Sequence, residues 1–172
     1  MYPFEAEASK PRRARNLATT GGLVAAAAAA GSLATDPDGG WYRDLEKPSW
    51  QPPPVAFPIV WTTLYADIAV TSAAVLNELD RRGEAEQAAE FRKALAGNLA
   101  LNGGWSWLFF RGHNLPASTL GAGVLALNSL RLARRAGRVD RRFGWALAPY
   151  ALWTAFATVL AGVVWSLNPD RD

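Results

Sequence analysis

The sequence predicts an all-α membrane protein, built as a bundle of five transmembrane helices. Five stretches are nearly or wholly free of charged residues, and each is close to the ~20 residues that a helix needs to cross a bilayer core. These stretches are rich in Ala and Leu and lack the period-2 alternation of strands. Basic residues also alternate between the connectors, as the topology of a multi-pass membrane protein requires.

The predicted spans follow one another along residues 15–168, which we take as one transmembrane domain. Inside lipid a helix satisfies its own backbone hydrogen bonds, so each stretch is assigned as a helix. The first stretch also fits a secretory signal peptide with a small-residue cleavage site near Ala34, and this alternative stays open. Residues 1–14 are polar and are expected to form a disordered cytoplasmic segment. The spans are 16–35, 55–77 (interrupted by Asp67), 94–110, 114–130 and 143–168.

The connectors differ in their basic residues, which sets the predicted orientation. Fourteen Lys and Arg fall on one side of the bundle and four on the other. Because basic residues collect on the cytoplasmic side, the N-terminus is predicted inside and the C-terminus outside a bacterial cell membrane. The basic side has Lys10, Arg12, Arg13, Arg15, Arg81, Arg82, Arg92, Lys93, Arg131, Arg134, Arg135, Arg138, Arg141 and Arg142; the other has Arg43, Lys47, Arg111 and Arg171.

Composition excludes several function classes. The chain has no Cys, so disulfides and thiol chemistry are excluded. Its one His, His113, sits beside a predicted turn, and neither a nucleophile–base pair nor a metal-binding cluster is evident, so no catalytic residue and no metal ligand is assigned. No aromatic and basic residues interleave as base-stacking surfaces require. The net charge of +3 therefore reflects topology, and we expect membrane lipid, not nucleic acid, as a partner.

The third span has a face of amides and aromatic rings. Asn98, Asn102, Trp105 and Phe109 follow the spacing i, i+4, i+7, i+11, so they share one side of a helix. We expect this side to face the bundle interior. Two interpretations stay open: interhelical hydrogen bonding with ordinary aromatic packing, or a ligand-lining role.

The second span contains one ionisable side chain, Asp67, with Thr63 and Thr71 one turn away on either side. A charge at this depth costs ~3 kcal/mol or more on insertion scales, so it usually lines a cavity or meets a partner. Asp67 is then either protonated and hydrogen-bonded to Thr63, to Thr71 or to an Asn of the third span, or it is a proton or polar-ligand site beside water-filled space.

Aromatic residues lie at two depths of the predicted bundle. Trp107, Trp145 and Trp165 lie near span ends, where the membrane–water interface favours indoles. Deeper rings indicate an apolar pocket with a few oriented donors, which suits a flat, mostly hydrophobic ligand. These deeper rings are Trp61, Tyr65, Trp105 and Trp153.

Small residues recur at four-residue spacing on two spans. Such seams let helix backbones approach closely, within the bundle or between subunits. Intramolecular packing is the more common use, and a homodimer is allowed. The seams are Gly22, Ala26 and Ala30 on the first span, and Ala96, Ala100 and Gly104 on the third.

Four segments together resemble the TspO/MBR family of tryptophan-rich sensory proteins and mitochondrial translocator proteins. They are "WYRDLEKPSWQPPP" (41–54), "VWTTLYADIA" (60–69), "LNGGWSWLFF" (101–110) and "PYALWTAFATVLAGVVWSLN" (149–168). The resemblance implies a five-helix transmembrane fold, often a homodimer. It also implies a pocket for porphyrins, sterols and synthetic aromatic ligands that opens toward the first connector, which folds over the pocket as a lid.

Carried over position by position, the resemblance implies eight ligand-lining residues. Asn102 falls in the family's "LNxxW" and Trp153 in its "PYxxW". In the connector the prolines limit conformational freedom, while Trp41, Tyr42 and Trp50 supply apolar covering for a lid. Alternatively, these rings only anchor the loop at the membrane interface. The eight residues are Trp41, Pro52, Tyr65, Asn102, Trp105, Trp153, Ala157 and Leu160.

The sequence departs from the family pattern at several positions. Val55 stands where "PPxW" has Trp, and some bacterial relatives use that Trp, with the one matching Trp153, in light-dependent porphyrin breakdown. Gly103 replaces the usual Trp after Asn, and Trp107 stands where Pro is frequent. No Tyr and no basic residue follows "VL" in the fifth span, so the weak sterol-recognition pattern is absent and cholesterol is a poor candidate.

Three functions agree with these residues. The favoured one is an integral membrane protein that binds tetrapyrroles or similar flat hydrophobic ligands, in transport or stress sensing. The alternatives are a light-dependent porphyrin-degrading enzyme, and a proton-linked transporter or accessory protein that uses Asp67. No cofactor is assigned beyond a porphyrin or haem-type tetrapyrrole as ligand.

Overall fold

The computed structural model describes residues 3–170, with side chains from residue 12 onward. The described residues form six α-helices and a π-helical turn, and they contain no strand. The all-helical fold class is therefore confirmed. The helices are α1 (Pro3–Ala34), α2 (Gly40–Arg43), α3 (Ala56–Arg82), α4 (Ala85–Ser106), α5 (Leu115–Val139) and α6 (Arg141–Leu167), and the π-helical turn is Trp107–Arg111.

Each of the five long helices overlaps one of the five predicted spans, but the bounds differ: α1 begins at residue 3, and α4 ends at residue 106, before its predicted span does. By length and composition three of them are apolar enough to cross a membrane, over Arg12–Ala34, Ala56–Arg82 and Arg141–Leu167. Helices α4 and α5 have more polar and charged residues, so five membrane crossings stay a prediction. The predicted disorder of residues 1–14 also stays a prediction, because most of their side chains lie outside the described part of the chain. The backbone of residues 3–14 lies within α1.

Local sequence explains where the helices begin and end. Helix α3 is terminated by Gly83, which adopts the left-handed conformation with φ of 75°. This conformation ends the helix within the polar stretch, and α4 begins two residues later. Helix α5 begins after Asn114, whose side chain accepts a hydrogen bond from the Ala117 N–H. In the same way the side chain of Asp140 accepts from the Arg142 N–H at the start of α6.

Close approach of α1 and α4 uses Ala30 of the predicted seams, whose Cβ would lie 3.6 Å from a Cβ on Gly103, together with small residues outside the seams. A Cβ on Gly103 would lie 3.2 Å from the carbonyl oxygen of Ala27, so the absence of a side chain lets α4 pack against α1. The seam residues Gly22, Ala26 and Gly104 are instead exposed. They are therefore not used for packing within the chain.

Helix α1 is joined to α3 by hydrogen bonds between buried polar groups. The Asn16 side chain donates to Asn77 Oδ1 at 2.9 Å and to Asp80 Oδ2 at 2.8 Å. One turn further on, Thr20 donates to the carbonyl oxygen of Ala69 at 2.8 Å. Buried polar groups with partners on another helix are typical of a retained bundle helix, which favours this interpretation of the first span over a cleaved signal peptide.

Candidate ligand-binding site

The connector between α1 and α3, residues 35–55, is tied to the end of α6 by one side chain. Asn168 is 5% exposed. Its Nδ2 donates to the carbonyl oxygen of Glu46 at 2.9 Å, and the Glu46 N–H donates to its Oδ1 at 2.9 Å. This pair of bonds uses both polar atoms of the amide. It fixes the middle of the connector to the α6 C-terminus.

Lys47 orders the connector from within. Its ammonium group donates to the carbonyl oxygens of Tyr42 and Leu45 and lies 4.5 Å from the centroid of the Tyr42 ring. Burial lowers the pKa of Lys47, an effect that the charge of Asp44 opposes. Burial also raises the pKa of Tyr42, while a hydrogen bond from Gln51 acts in the opposite direction. These groups hold a short ordered segment around α2.

Residues of the connector pack on the turn after α4 and form what we call the connector cluster. Trp41 meets Phe109 edge-on at 5.4 Å between ring centroids and stacks on His113 at 4.4 Å. Trp105 stacks on the same Phe109 ring at 5.1 Å. The cluster therefore covers the end of α4 with indole and phenyl rings. Its members are Trp41, Tyr42, Leu45, Trp105, Phe109, Phe110, Leu115, Leu160 and Val164.

A second group of rings, the bundle cluster, lies between α3 and α6. Trp153 contacts Trp61 edge-on at 6.5 Å and Phe156 at 5.2 Å between centroids. Trp50 of the connector meets Phe156 at 6.0 Å and thus forms the outer edge of the cluster. The cluster comprises Trp50, Phe57, Trp61, Tyr65, Trp153 and Phe156.

A chain of hydrogen bonds runs from the bundle cluster into the core. The Tyr65 hydroxyl donates to Asn102 Oδ1 at 2.6 Å, and Asn102 Nδ2 donates to the Tyr150 hydroxyl oxygen at 3.3 Å. Tyr150 in turn donates to Asn98 Oδ1 at 2.8 Å. Asn98 is fully buried and donates to Asn128 and Ser129 of α5. The amide face of α4 therefore points into the bundle, as predicted, and links α3, α4, α5 and α6.

Two half-buried indoles differ in how their N–H groups are satisfied. Trp105 Nε1 donates to the carbonyl oxygen of Ser118 at 2.9 Å. Trp153 Nε1 is buried and has no hydrogen-bond partner among the described residues. An unpaired buried donor costs free energy, so it is a place where an acceptor from a ligand adds stability.

The eight predicted ligand-lining residues are divided between these features. Trp41, Trp105 and Leu160 belong to the connector cluster, Tyr65 and Trp153 to the bundle cluster, and Asn102 lies in the hydrogen-bonded chain. Pro52 and Ala157 are half-buried. The structure thus brings most of the set to neighbouring parts of one end of the bundle. Their contact with a ligand stays a prediction.

Sequence reasoning missed three residues of this region. Tyr150 is fully buried at the centre of the hydrogen-bonded chain, and its place three residues before Trp153 on one helix face was an available signal. Asn168 lies four residues after the buried Val164 on that face. His113 has a positive φ of 51° and stacks on Trp41, and nothing in the sequence pattern predicts this stacking.

A surface cleft of about 310 Å³ opens beside the connector cluster. It is lined by Asp36, Gly39, Gly40, Trp41, Tyr42, Phe110, Arg111 and His113. Trp41 is the one predicted ligand-lining residue in this lining. The cleft is therefore distinct from the bundle cluster around Trp153.

Asp67 has one satisfied and one unsatisfied carboxylate oxygen. Thr71 donates to Oδ1 at 2.8 Å, whereas Thr63 donates to the carbonyl oxygen of Ile59 instead. Oδ2 is buried without a partner among the described residues. Of the partners predicted for Asp67, the structure therefore selects Thr71, because Asn98 and Asn102 are bonded elsewhere.

The described residues form an all-helical bundle, and three of its helices are apolar enough to cross a membrane. Trp41 and Trp105 lie in the connector cluster, and Trp50, Trp61 and Trp153 lie in the bundle cluster. These features define a tryptophan-rich helical membrane protein. Residues 20–166 match the model of the TspO/MBR family, and the chain belongs to this family. A membrane location follows from this membership and from the apolar helices.

Relatives in bacteria and mammals cover most of the chain. The protein CrtK of Rhodobacter capsulatus is 34% identical over 87% of this chain and 91% of its own length. The tryptophan-rich protein TspO of Chlorobaculum tepidum is 36% identical over 86% of this chain and 92% of its own. The human translocator protein is 35% identical over 74% of this chain and 75% of its own.

Proposed function

We propose that this protein binds a tetrapyrrole or a similar flat hydrophobic ligand at the bundle cluster, in transport or stress sensing. The observation that carries the proposal is the Trp153 indole, whose buried N–H has no acceptor among the described residues and lies among the rings of Trp61, Phe57 and Phe156. Such a site offers ring faces for stacking and one oriented donor. The carboxylate or carbonyl groups of a tetrapyrrole supply acceptors for that donor.

The connector is suited to act as a lid over this site. Trp50 is the ring through which the connector contacts Phe156, and it is about half exposed. Entry of a ligand requires this contact to open, while the bonds between Asn168 and Glu46 hold the middle of the connector in place. Names of relatives such as "Translocator protein" and "Tryptophan-rich protein TspO" support a role in transport or sensing.

The decisive experiment is a titration of purified, detergent-solubilised protein with protoporphyrin, followed by the change in porphyrin absorbance. Trp153→Phe keeps an aromatic ring and removes the N–H donor. Because a hydrogen bond to a charged acceptor contributes about 1.5–3 kcal/mol, we expect affinity to fall by about tenfold or more. Trp145→Phe is the matched control, since Trp145 is exposed at the start of α6. Equal affinity of both variants and wild type would refute the proposal.

Two alternative functions, a porphyrin-degrading enzyme and a proton-linked transporter, can be tested by related measurements. Porphyrin loss that requires illumination and is abolished by Trp153→Phe would establish the enzyme, although Val55 stands where the family pattern has a second indole. Proton-linked transport is favoured by the unpartnered oxygen of Asp67. It requires that Asp67→Asn alter the pH dependence of ligand uptake.

For topology we propose five membrane crossings with the N-terminus inside and the C-terminus outside. Support comes from the uneven distribution of basic residues between the two ends of the bundle. Membrane-impermeant labelling of single cysteines introduced at Ser49 and at Gly83 should modify the first and spare the second in intact cells. A homodimer is also proposed, supported by the exposed small residues of α1 and α4.

A further inference from the structure

One outward face of α5 is apolar in its first half and basic in its last turns. The exposed side chains on this face follow the spacing i, i+4, i+7, i+11, i+14, i+18, which keeps them on one side of the helix. Leu120 is 71% exposed and Leu127 is 59% exposed, which is far more than a helix facing the core shows. The face consists of Leu120, Val124 and Leu127, followed by Arg131, Arg134 and Arg138.

Helix α6 has a similar face that begins at the same turn. From Arg141 the exposed side chains continue through Trp145, Leu152 and Val159 at the spacing of one helix side. The two helices approach closely here, since a Cβ on Gly144 would lie 2.9 Å from the Cα of Gly137. Both apolar faces therefore end in arginine beside the α5–α6 turn.

The positive charge at this turn is not balanced within the described part of the chain. Residues 131–142 contain six arginines and one acidic residue, Asp140, whose side chain caps the start of α6. Of these six arginines, Arg135 alone has a carboxylate among the described residues within 4.0 Å, that of Glu90 at 3.6 Å. Positive charge is therefore in excess at this turn, and like charges repel one another unless an anion lies between them. The turn is thus complementary to an anionic partner.

The dimensions of the α5 face fit a phospholipid rather than a soluble anion. At 1.5 Å rise per residue, Leu120 lies about 16 Å from Arg131 along the helix axis. Half of a ~30 Å hydrocarbon core is about 15 Å. One acyl chain can therefore lie along Leu120, Val124 and Leu127 while its phosphate reaches the arginines. Trp145 lies at the matching depth on α6, where indoles favour the headgroup region.

We propose that the α5–α6 turn is a binding site for an anionic phospholipid. Arg131, Arg134 and Arg138 hold the phosphate through guanidinium N–H donors, whose planar fork matches phosphate oxygens. Leu120 and Leu127 contact the acyl chain. A phospholipid with a net negative charge, such as phosphatidylglycerol, is preferred over a zwitterionic one, because the choline of phosphatidylcholine offsets the charge of its phosphate.

The test counts lipids that remain on the delipidated full-length protein by native mass spectrometry, during titration with phosphatidylglycerol or phosphatidylcholine. We expect a preference for phosphatidylglycerol of about tenfold or more. The variant R131Q/R134Q/R138Q should lose this preference. R12Q/R13Q/R15Q is the matched control, since it removes the same charge from exposed side chains at the N-terminal part of α1, and it should keep the preference.

Three results would overturn the site. They are an equal loss of preference in both triple variants, equal binding of the two lipids by the wild type, and binding of inorganic phosphate or glycerophosphate as tight as that of the lipid. The variant L120N/L127N retains every arginine and covers the case in which the arginine variant does not fold. It should bind phosphatidylglycerol more weakly by about tenfold, and unchanged binding would also refute the proposal.

Discussion

Replacing Asn168 by Ala should release the connector without unfolding the bundle. The substitution removes both hydrogen bonds between the Asn168 amide and the backbone of Glu46, each 2.9 Å long. At about 0.5–1.5 kcal/mol for each bond, the connector loses about 1–3 kcal/mol of local stability. Since 1.4 kcal/mol is a factor of ten, local opening should become about 5- to 140-fold more frequent.

Hydrogen–deuterium exchange of the detergent-solubilised protein measures this opening directly. The amide of Glu46 and its neighbours in the connector should exchange faster by that factor, while amides in the middle of α6 should keep their rates. Ser166→Ala is the control, because its hydroxyl bonds only within α6, to the carbonyl oxygen of Val163. Unchanged exchange in the connector, or a uniform increase throughout α6, would contradict the role assigned to Asn168.

Three further predictions concern packing and pH. Tyr65→Phe leaves a buried amide oxygen on α4 unpaired and should lower the free energy of unfolding by about 1–3 kcal/mol; an unchanged thermal unfolding midpoint would count against it. Gly103→Leu should cost about 1–3 kcal/mol through overpacking against Ala27, whereas Gly104→Leu, which points into open space, should be tolerated in the same assay. Because burial raises the pKa of Tyr42 in the folded connector, its contribution to connector stability is fully present below the unfolded-state pKa and is lost as pH rises through the folded value. Titration of tyrosine absorbance should show that Tyr42 ionises at a higher pH in the wild type than in a Trp41→Ala variant, in which the connector is loosened.

The predicted and observed contacts of the small residues in α1 show what hydrophobic periodicity can predict about helix packing. The spacing of small residues in α1 predicted a seam of Gly22, Ala26 and Ala30, but the contact with α4 uses Ala27 together with Ala30. One residue along a helix is a rotation of about 100°, so the observed contact side includes Ala30 but is turned away from Gly22 and Ala26. Hydrophobic periodicity shows which residues share a face. For a helix with small residues on several sides, it leaves the orientation of that face toward a neighbour undetermined.

The sequence by itself determined the helices, the absence of disulfides and the inward amide face of α4. Charge-free runs, Ala and Leu content and the spacing of Asn98, Asn102 and Phe109 are properties of single segments. Only the tertiary structure decided that Asn168 meets Glu46, 122 residues away, that Tyr65 donates to Asn102, and that Trp153 keeps an unpaired donor. These contacts depend on the relative rotation and depth of several helices at once, which the packing of the whole bundle sets and no local pattern encodes.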